Sequence, residues 1–310
     1  DEWEASRPLL IGNAGVFEYY KRKFRIPVTL FPATQRPLSW GRDVVPVIEP
    51  SGRRAFRTAP GISSRAAGSL AGRSLECAAA LWGRGEIDGI VTGPLAKNTL
   101  NAAGYPYPGQ TEMLVKATGS SEALMLMISG PLRIGLATIH MPLRRVPSAL
   151  TKERLVRTIR LFIASLTVDF GLRRPRIAVL GLNPHAGEGG LLGTEERDVI
   201  LPAIREARGR TAIVSGPFPA DGFFGSHARE GYDGILAMYH DQGLIPLKMS
   251  GFSAAVNFTA GLPLVRTSPG HGTAYDIAGR GVADPGSTVG AIMAAADIIA
   301  HRHARRGGRR

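Results

Sequence analysis

Short apolar runs alternate with longer helix-like segments along most of the chain, and that alternation limits the folds open to it. Residues 9–11, 89–92, 133–139, 176–182, 212–214 and 234–239 are mostly apolar, as strands covered on both faces are. Between them, residues 151–166 carry apolar side chains at helical spacing behind Thr151, whose hydroxyl suits a helix start. Residues 194–206 open with Glu195 and Glu196, which the positive end of a helix dipole favours. Residues 287–301 are small and apolar and read as a buried closing helix. This pattern predicts an α/β architecture with a mainly parallel sheet.

At 310 residues and 44% hydrophobic content, the chain can bury a large core without disulfides. Its one cysteine, Cys77, sits in a helix-like run and reads as a packing residue rather than a nucleophile. A lone thiol also fits a reducing compartment. No apolar run reaches the roughly 18–20 residues of a membrane span. The amino terminus lacks the graded pattern of a signal peptide. The expectation is a soluble cytoplasmic protein with no membrane partner. The formal charge of +13 raises nucleic acid as a partner, but only six of the 38 basic residues are lysines and the arginines are dispersed. The one dense block, residues 301–310, is expected to be a frayed tail. Without aromatic-interleaved basic stretches or zinc-finger spacing, the charge fits a field that draws in anionic substrates.

Three histidines end apolar strand-like runs: His140, His185 and His240. In open parallel sheets, ligands bind beyond the carboxyl ends of the strands. Three imidazoles gathered there would hold a divalent metal with coordination positions left open. Such an ion lowers the pKa of a bound alcohol. The competing reading for each histidine is a hydrogen-bonded structural residue. Around His185, the loop Asn183-Pro-His-Ala-Gly-Glu-Gly-Gly-Leu-Leu-Gly-Thr194 holds four glycines, more than a plain turn requires. No G-x-G-x-x-G or G-x-x-x-x-G-K-[ST] pattern occurs at a strand-to-helix junction, so neither a Rossmann fingerprint nor a P-loop is supported.

A further glycine-rich stretch contains His271-Gly-Thr-Ala274 and then Asp276-Ile-Ala-Gly-Arg-Gly-Val-Ala-Asp-Pro285. It resembles the cofactor-binding segment of the isocitrate/isopropylmalate dehydrogenase superfamily. Within that superfamily four motifs resemble the 4-hydroxythreonine-4-phosphate dehydrogenase family of pyridoxal phosphate biosynthesis. They are Val91-Thr-Gly-Pro94 with Lys97, Asn183-Pro-His-Ala-Gly-Glu-Gly-Gly190, Ala237-Met-Tyr-His-Asp-Gln-Gly243 and Gly261-Leu-Pro-Leu-Val-Arg-Thr267.

The resemblance implies a homodimer of two α/β/α domains with the active site in a cleft between them. Residues 1–105 plus 250–310 would form the cofactor-binding domain, and 106–249 the metal, substrate and dimerisation domain. A strand and a glycine loop would precede residue 1. One divalent ion (zinc, magnesium or cobalt) would be held by His140, His185 and His240. NAD or NADP would bind at His271, Gly272, Thr273, Ala274, Asp276 and Asp284. Substrate contacts would be Gln110, Thr111, Lys248, Asn257 and Arg266, with Lys248 and Arg266 suited to phosphate. Lys97, Asp221 and Asp241 are the catalytic candidates, and each is equally open to a structural ion-pair role.

The implied reaction oxidises a secondary alcohol of 4-phosphooxy-L-threonine by hydride transfer, with loss of carbon dioxide, to 3-amino-2-oxopropyl phosphate. Gln110 stands where the family usually has histidine; glutamine donates a hydrogen bond but carries no charge. That departure keeps other substrates open: D-threonate or D-erythronate 4-phosphate, or a cis-dihydrodiol carboxylate. An alternative of another class is a phosphate acetyltransferase-like acyl transfer, which would need neither metal nor nicotinamide.

Overall fold

The computed structural model describes residues 6–33, 40–41, 43–50, 56–57, 59–251 and 255–307. The chain forms two compact units, residues 1–120 with 271–285, and residues 121–270 with 286–310. The divisions lie later than the expected ones near 105 and 250, and residues 286–310 fall in the second unit rather than the first. The reason is hydrogen bonding. Residues 256–260 pair with 124–128, and the last helix is tied down by Thr267 Oγ1 donating to Ala291 O at 2.7 Å.

The first unit contains strands β1 (Leu10–Ile11), β2 (Thr29–Pro32), β3 (Val44–Ile48) and β4 (Gly89–Val91), and helices α1 (Ala14–Phe24), α2 (Arg65–Gly83), α3 (Lys97–Ala102) and α4 (Gln110–Ala117). β3 lies between β1 and β2, parallel to both. Sequence pattern did not reveal β2 and β3, because Pro32 and Pro46 lack the N–H that a ladder uses. Helix α2 starts at Ser64, whose side chain accepts from Ala67 N. It buries Gly68 and Gly72, and a Cβ on Gly68 would run into the carbonyl oxygen of Thr99. The missing side chain is what lets α3 approach α2 this closely. Cys77, on the same helix, is half-buried. Burial pushes its thiol above the usual range, while the nearby Arg84 charge pulls weakly the other way.

The second unit contains β5 (Leu124–Ser129), β6 (Leu132–Leu136), β7 (Arg176–Leu180), β8 (Ile213–Phe218), β9 (Gly234–Ala237), β10 (Val256–Ala260) and β11 (Val265–Pro269). Its helices are α5 (Val146–Ala149), α6 (Lys152–Val168), α7 (Leu201–Ala207), α8 (Ala220–Gly225), α9 (His240–Ser250) and α10 (Gly286–Gly307). The strands line up as β11-β10-β5-β6-β9-β7-β8. From β6 to β8 the neighbours are parallel; from β11 to β6 they are antiparallel. The expected mainly parallel sheet therefore holds for one half of this sheet. The other half reverses through tight turns that need left-handed glycines, Gly130 (φ 55°) between β5 and β6 and Gly261 (φ 91°) between β10 and β11.

Helix α6 carries the expected cap, with Thr151 Oγ1 accepting from Arg154 N at 3.2 Å. Leu155, Ile159, Phe162 and Leu166 form its buried stripe. Each such side chain contributes roughly 1.5–3 kcal/mol by leaving water. Leu244 and Leu247 of α9 join Ile134, Leu136, Ile235 and Ala237 in one core cluster.

Helix α10 runs through Gly307, so residues 301–307 of the basic tail are helical rather than frayed; 308–310 lie outside the described residues. An ion pair explains the correction. Arg302 Nε meets Asp169 Oδ1 at 2.7 Å, Arg302 Nη1 donates to Pro263 O at 2.8 Å, and Ser165 Oγ donates to Asp169 Oδ2 at 2.7 Å. Among the described residues no helix is long and apolar enough to cross a membrane.

Replacing Arg302 by alanine leaves the buried Asp169 carboxylate without its cation. Because Arg302 keeps 13% of its side chain exposed, the expected loss is about 3 kcal/mol, the low end for a broken buried pair. Urea unfolding measures it, and a loss below about 1 kcal/mol would reduce the contact to the level of a surface pair. The raised Cys77 pKa predicts slower reaction with an aromatic disulfide reagent at neutral pH than a free cysteine shows. Equal rates would contradict the burial.

Candidate functional site

The parallel neighbours β6, β9 and β7 end at one edge of the second unit's sheet, and each leads to one of the three histidines. His140 follows β6 with a left-handed backbone, φ 49°. His240 follows β9 and opens α9 after the extended Tyr239. His185 follows β7 in the glycine-rich loop, where residues 185–189 all have positive φ: 52°, 51°, 81°, 43° and 66°. Non-glycine residues held in this region cost energy, and such strain clusters at ligand sites.

The rings of His140 and His240 come together, with centroids 5.7 Å apart. They line a cavity of about 350 Å³ with Thr138, Ile139, Pro142 and Tyr239. Asp241 Oδ1 lies 2.7 Å from His240 Nδ1. A carboxylate only accepts, so the imidazole proton sits on Nδ1 and the lone pair on Nε2. This carboxylate–histidine pairing orients metal-bound imidazoles. Two neutral imidazole nitrogens suit a borderline-soft divalent cation, and the pair fits part of a metal centre. His185 does not join them within one chain: among the described residues no three His, Cys, Asp or Glu side chains gather closely enough to hold a metal.

Glu196 was not anticipated as part of this region. It is 5% exposed, and its Oε1 accepts from Leu182 N and Asn183 N, both at 2.7 Å. Asn183 Nδ2 donates to Glu196 Oε2 at 3.0 Å. The buried carboxylate is thus satisfied by N–H groups at the base of the His185 loop. In sequence, Glu196 reads only as an acidic residue in a helix's first turn.

The remaining expected residues of this unit are spread over four elements. Asp221 is exposed in the first turn of α8, just beyond β8. Asp241 is occupied with His240, which favours an orienting role over that of a general base. Lys248 is exposed near the end of α9. Arg266, on β11, is 3% exposed, and its Nη1 donates to Thr259 Oγ1 at 3.1 Å. Asn257, on β10, has a buried Oδ1 with no donor among the described residues, an atom that a ligand hydroxyl or ammonium group would satisfy.

In the first unit, Lys97 begins α3, while Gln110 and Thr111 begin α4. Gln110 Nε2 donates to Gly93 O at 2.9 Å. A Cβ placed on Gly109 would lie 3.5 Å from Lys97 Cε, so the Val91-Thr-Gly-Pro94 loop, Lys97 and the start of α4 form one neighbourhood. The 271–285 segment belongs to the same unit. His271, Gly272, Ala274, Asp276 and Asp284 are exposed there, and Thr273 is half-buried. His271 Nδ1 donates to Gly272 O at 2.9 Å, and Ala274 has φ 46°.

Comparison with known proteins gives the family. The family model described as pyridoxal phosphate biosynthetic protein PdxA matches residues 4–295. A 4-hydroxythreonine-4-phosphate dehydrogenase of Erythrobacter litoralis is 49% identical over 245 residues, 78% of this chain and 73% of that one. One from Acidithiobacillus ferrooxidans is 46% identical over 276 residues, covering 88% and 80%. The crystal structure of a 4-hydroxythreonine-4-phosphate dehydrogenase from Burkholderia phymatum has a TM-score of 0.81 at 38% identity, covering 96% of this chain and 90% of that chain. A terephthalate 1,2-cis-dihydrodiol dehydrogenase from Burkholderia xenovorans has a TM-score of 0.63 at 29% identity, covering 93% and 89%. With a family model matching residues 4–295 and relatives of this identity and coverage, the chain belongs to the pyridoxal phosphate biosynthetic protein PdxA family.

Proposed function

We propose that this chain oxidises 4-phosphooxy-L-threonine at its secondary alcohol, with NAD or NADP as hydride acceptor, and releases 3-amino-2-oxopropyl phosphate and carbon dioxide. The observation that carries the reading is the His140–His240 pair, 5.7 Å between ring centroids, at the ends of neighbouring parallel strands. A divalent ion (zinc, magnesium or cobalt) held there would supply Lewis acidity to the alcohol and to the enolate oxygen that develops as carbon dioxide leaves. His240 presents Nε2 because Asp241 holds Nδ1–H. Lys248 and Arg266 supply the charge for the substrate phosphate, and the buried Asn257 Oδ1 accepts from a substrate N–H or O–H. Lys97 and Asp221 remain the general-base candidates, and the exposed 271–285 segment is the nicotinamide-binding stretch.

Surface chemistry supports a partner subunit as the source of the third metal ligand. Leu143 (66% exposed), Leu191 (83%), Ile245 (60%) and Met249 (83%) are large apolar side chains left in water. Ile245 and Met249 share one face of α9, the helix that His240 opens. Leu191 belongs to the loop that carries His185. Apolar surface around both halves of the histidine set suits a homodimer. In this arrangement His185 of the partner subunit completes the centre formed by His140 and His240.

Mixed dimers test the arrangement. A chain carrying His240→Ala and one carrying His185→Ala are each inactive alone and lose zinc on dialysis. Co-expressed, they recover about one quarter of the wild-type sites, since half of randomly paired dimers contain one intact centre of two. No recovery would place all three ligands on one chain. The reaction itself is read from NADH or NADPH formation across a panel of 4-phosphooxy-L-threonine, D-erythronate 4-phosphate, D-threonate 4-phosphate and a cis-dihydrodiol carboxylate. Turnover of the last alone, the chemistry named in the Burkholderia xenovorans relative, would overturn the phosphorylated-substrate reading. Gln110→His adds an ionisable group to the first-unit neighbourhood. It is expected to bring a new ionisation, near the ordinary imidazole value of about 6.5, into the pH profile of kcat/KM. An unchanged profile would remove residue 110 from substrate binding.

A further inference from the structure

Past the last rungs of their ladders, Leu136↔Ala237 and Val179↔Leu236, β6 and β9 share a further backbone bond, Ala137 N donating to Ala237 O at 2.9 Å. Side chains take over at that edge. Thr138 is 1% exposed, and its Oγ1 donates to Met238 O at 2.7 Å, tying the β6 end to the β9 end. Gln242 uses both ends of its amide: Oε1 accepts from Met238 N at 2.7 Å, and Nε2 donates to Gly181 O at 2.6 Å. It thereby ties the β9 end to the β7 end. Glu196 then collects Leu182 N, Asn183 N and Asn183 Nδ2, the three donors that directly follow Gly181.

The result is one continuous polar chain, Thr138–Met238–Gln242–Gly181 and on to Glu196. It touches the segments two residues before His140, two before His240 and two before His185. Its fit is tight. A Cβ on Gly187 (φ 81°) would lie 2.6 Å from Glu196 Oε2 and displace the carboxylate, and one on Gly181 would crowd Glu196 Oε1 at 3.1 Å. Glu196 also starts the π-helical turn Glu196–Ile200, a local irregularity of the kind that recurs at functional sites.

We propose that Gln242 and Glu196, with Thr138, are positioning residues that set the spacing of the three strand ends in each subunit, and hence where His140 and His240 sit in one metal centre and where the same chain's His185 sits for the partner's centre. The inference rests on the three-histidine reading given above. Backbone pairing alone fixes the β6 and β9 ends only as far as the Ala137–Ala237 bond, and five consecutive left-handed residues in the His185 loop need an external anchor to hold them. Outer groups that orient metal ligands through hydrogen bonds commonly carry about 10- to 100-fold in metal affinity.

Cobalt(II) titration of the metal-free, full-length protein tests this, with visible absorption reporting coordination geometry. Gln242→Met keeps the volume and removes both amide bonds. Glu196→Gln keeps the shape and turns one acceptor into a donor facing Asn183 Nδ2. Each is expected to raise the cobalt Kd by about 10-fold or more and to shift the absorption bands. Ser165→Ala, which loosens only the Asp169–Arg302 contact, should lower Tm and leave both cobalt readouts unchanged. If Gln242→Met and Glu196→Gln lower Tm but bind cobalt with the wild-type Kd and spectrum, the residues are merely structural and the inference is overturned. His185→Ala separates the two levels. Cobalt binding unaltered by His185→Ala would overturn the three-histidine centre and the inference with it. Weakened binding in His185→Ala beside wild-type binding in the other two would overturn the positioning role alone. Should Gln242→Met fail to fold, Glu196→Gln carries the same readouts.

Discussion

The parallel pairing of β6, β9 and β7 is the constraint on which the candidate site depends. Parallel neighbours must start at one edge and finish at the other, so whatever follows each strand gathers at the same edge. His140, His240 and His185 are 45 to 100 residues apart in the chain, yet sheet order β6-β9-β7 puts the segments bearing them side by side. The antiparallel half of the sheet, from β11 to β6, contributes differently. Its residues Asn257 and Arg266 are positioned along strands rather than beyond them, which is why the Arg266 side chain and the Asn257 Oδ1 atom are buried.

The His185 loop shows how local chemistry and tertiary anchoring share the work. Glycines at 187, 189 and 190 adopt positive φ without steric penalty, but His185, Ala186 and Glu188 adopt it as well, and they need compensation from outside the loop. The buried Glu196 carboxylate supplies anchoring at the loop's base through N–H groups rather than through a cation.

The excess of arginine over lysine has a structural use that charge counting conceals. Arg302 closes on Asp169. Arg133 lies 4.7 Å over the Phe170 ring, and Arg176 lies 5.6 Å over the Tyr232 ring. Arg208 Nε donates to Val214 O at 3.1 Å. A planar guanidinium can stack and donate in several directions at once, which an ammonium cannot. These arginines serve packing positions within the fold rather than a stripe for nucleic acid.

Sequence alone determined the elements whose signals are local. The apolar runs marked strands at residues 132–136, 176–180 and 234–237. Thr151 marked the start of α6, and histidines at strand ends marked the edge where a ligand would sit. Tertiary structure decided what depends on partners distant in the chain. β10 and β11 are short and polar in places, and they declare themselves only by pairing with β5 and with each other. The basic tail became helix because Asp169, 133 residues away, is buried opposite Arg302. In one dimension Glu196 is only an acidic residue at a helix start and Gln242 only a member of the Ala237–Gly243 motif. Their significance arises from two strand ends brought within hydrogen-bond reach, and spacing in sequence does not encode a distance of that kind.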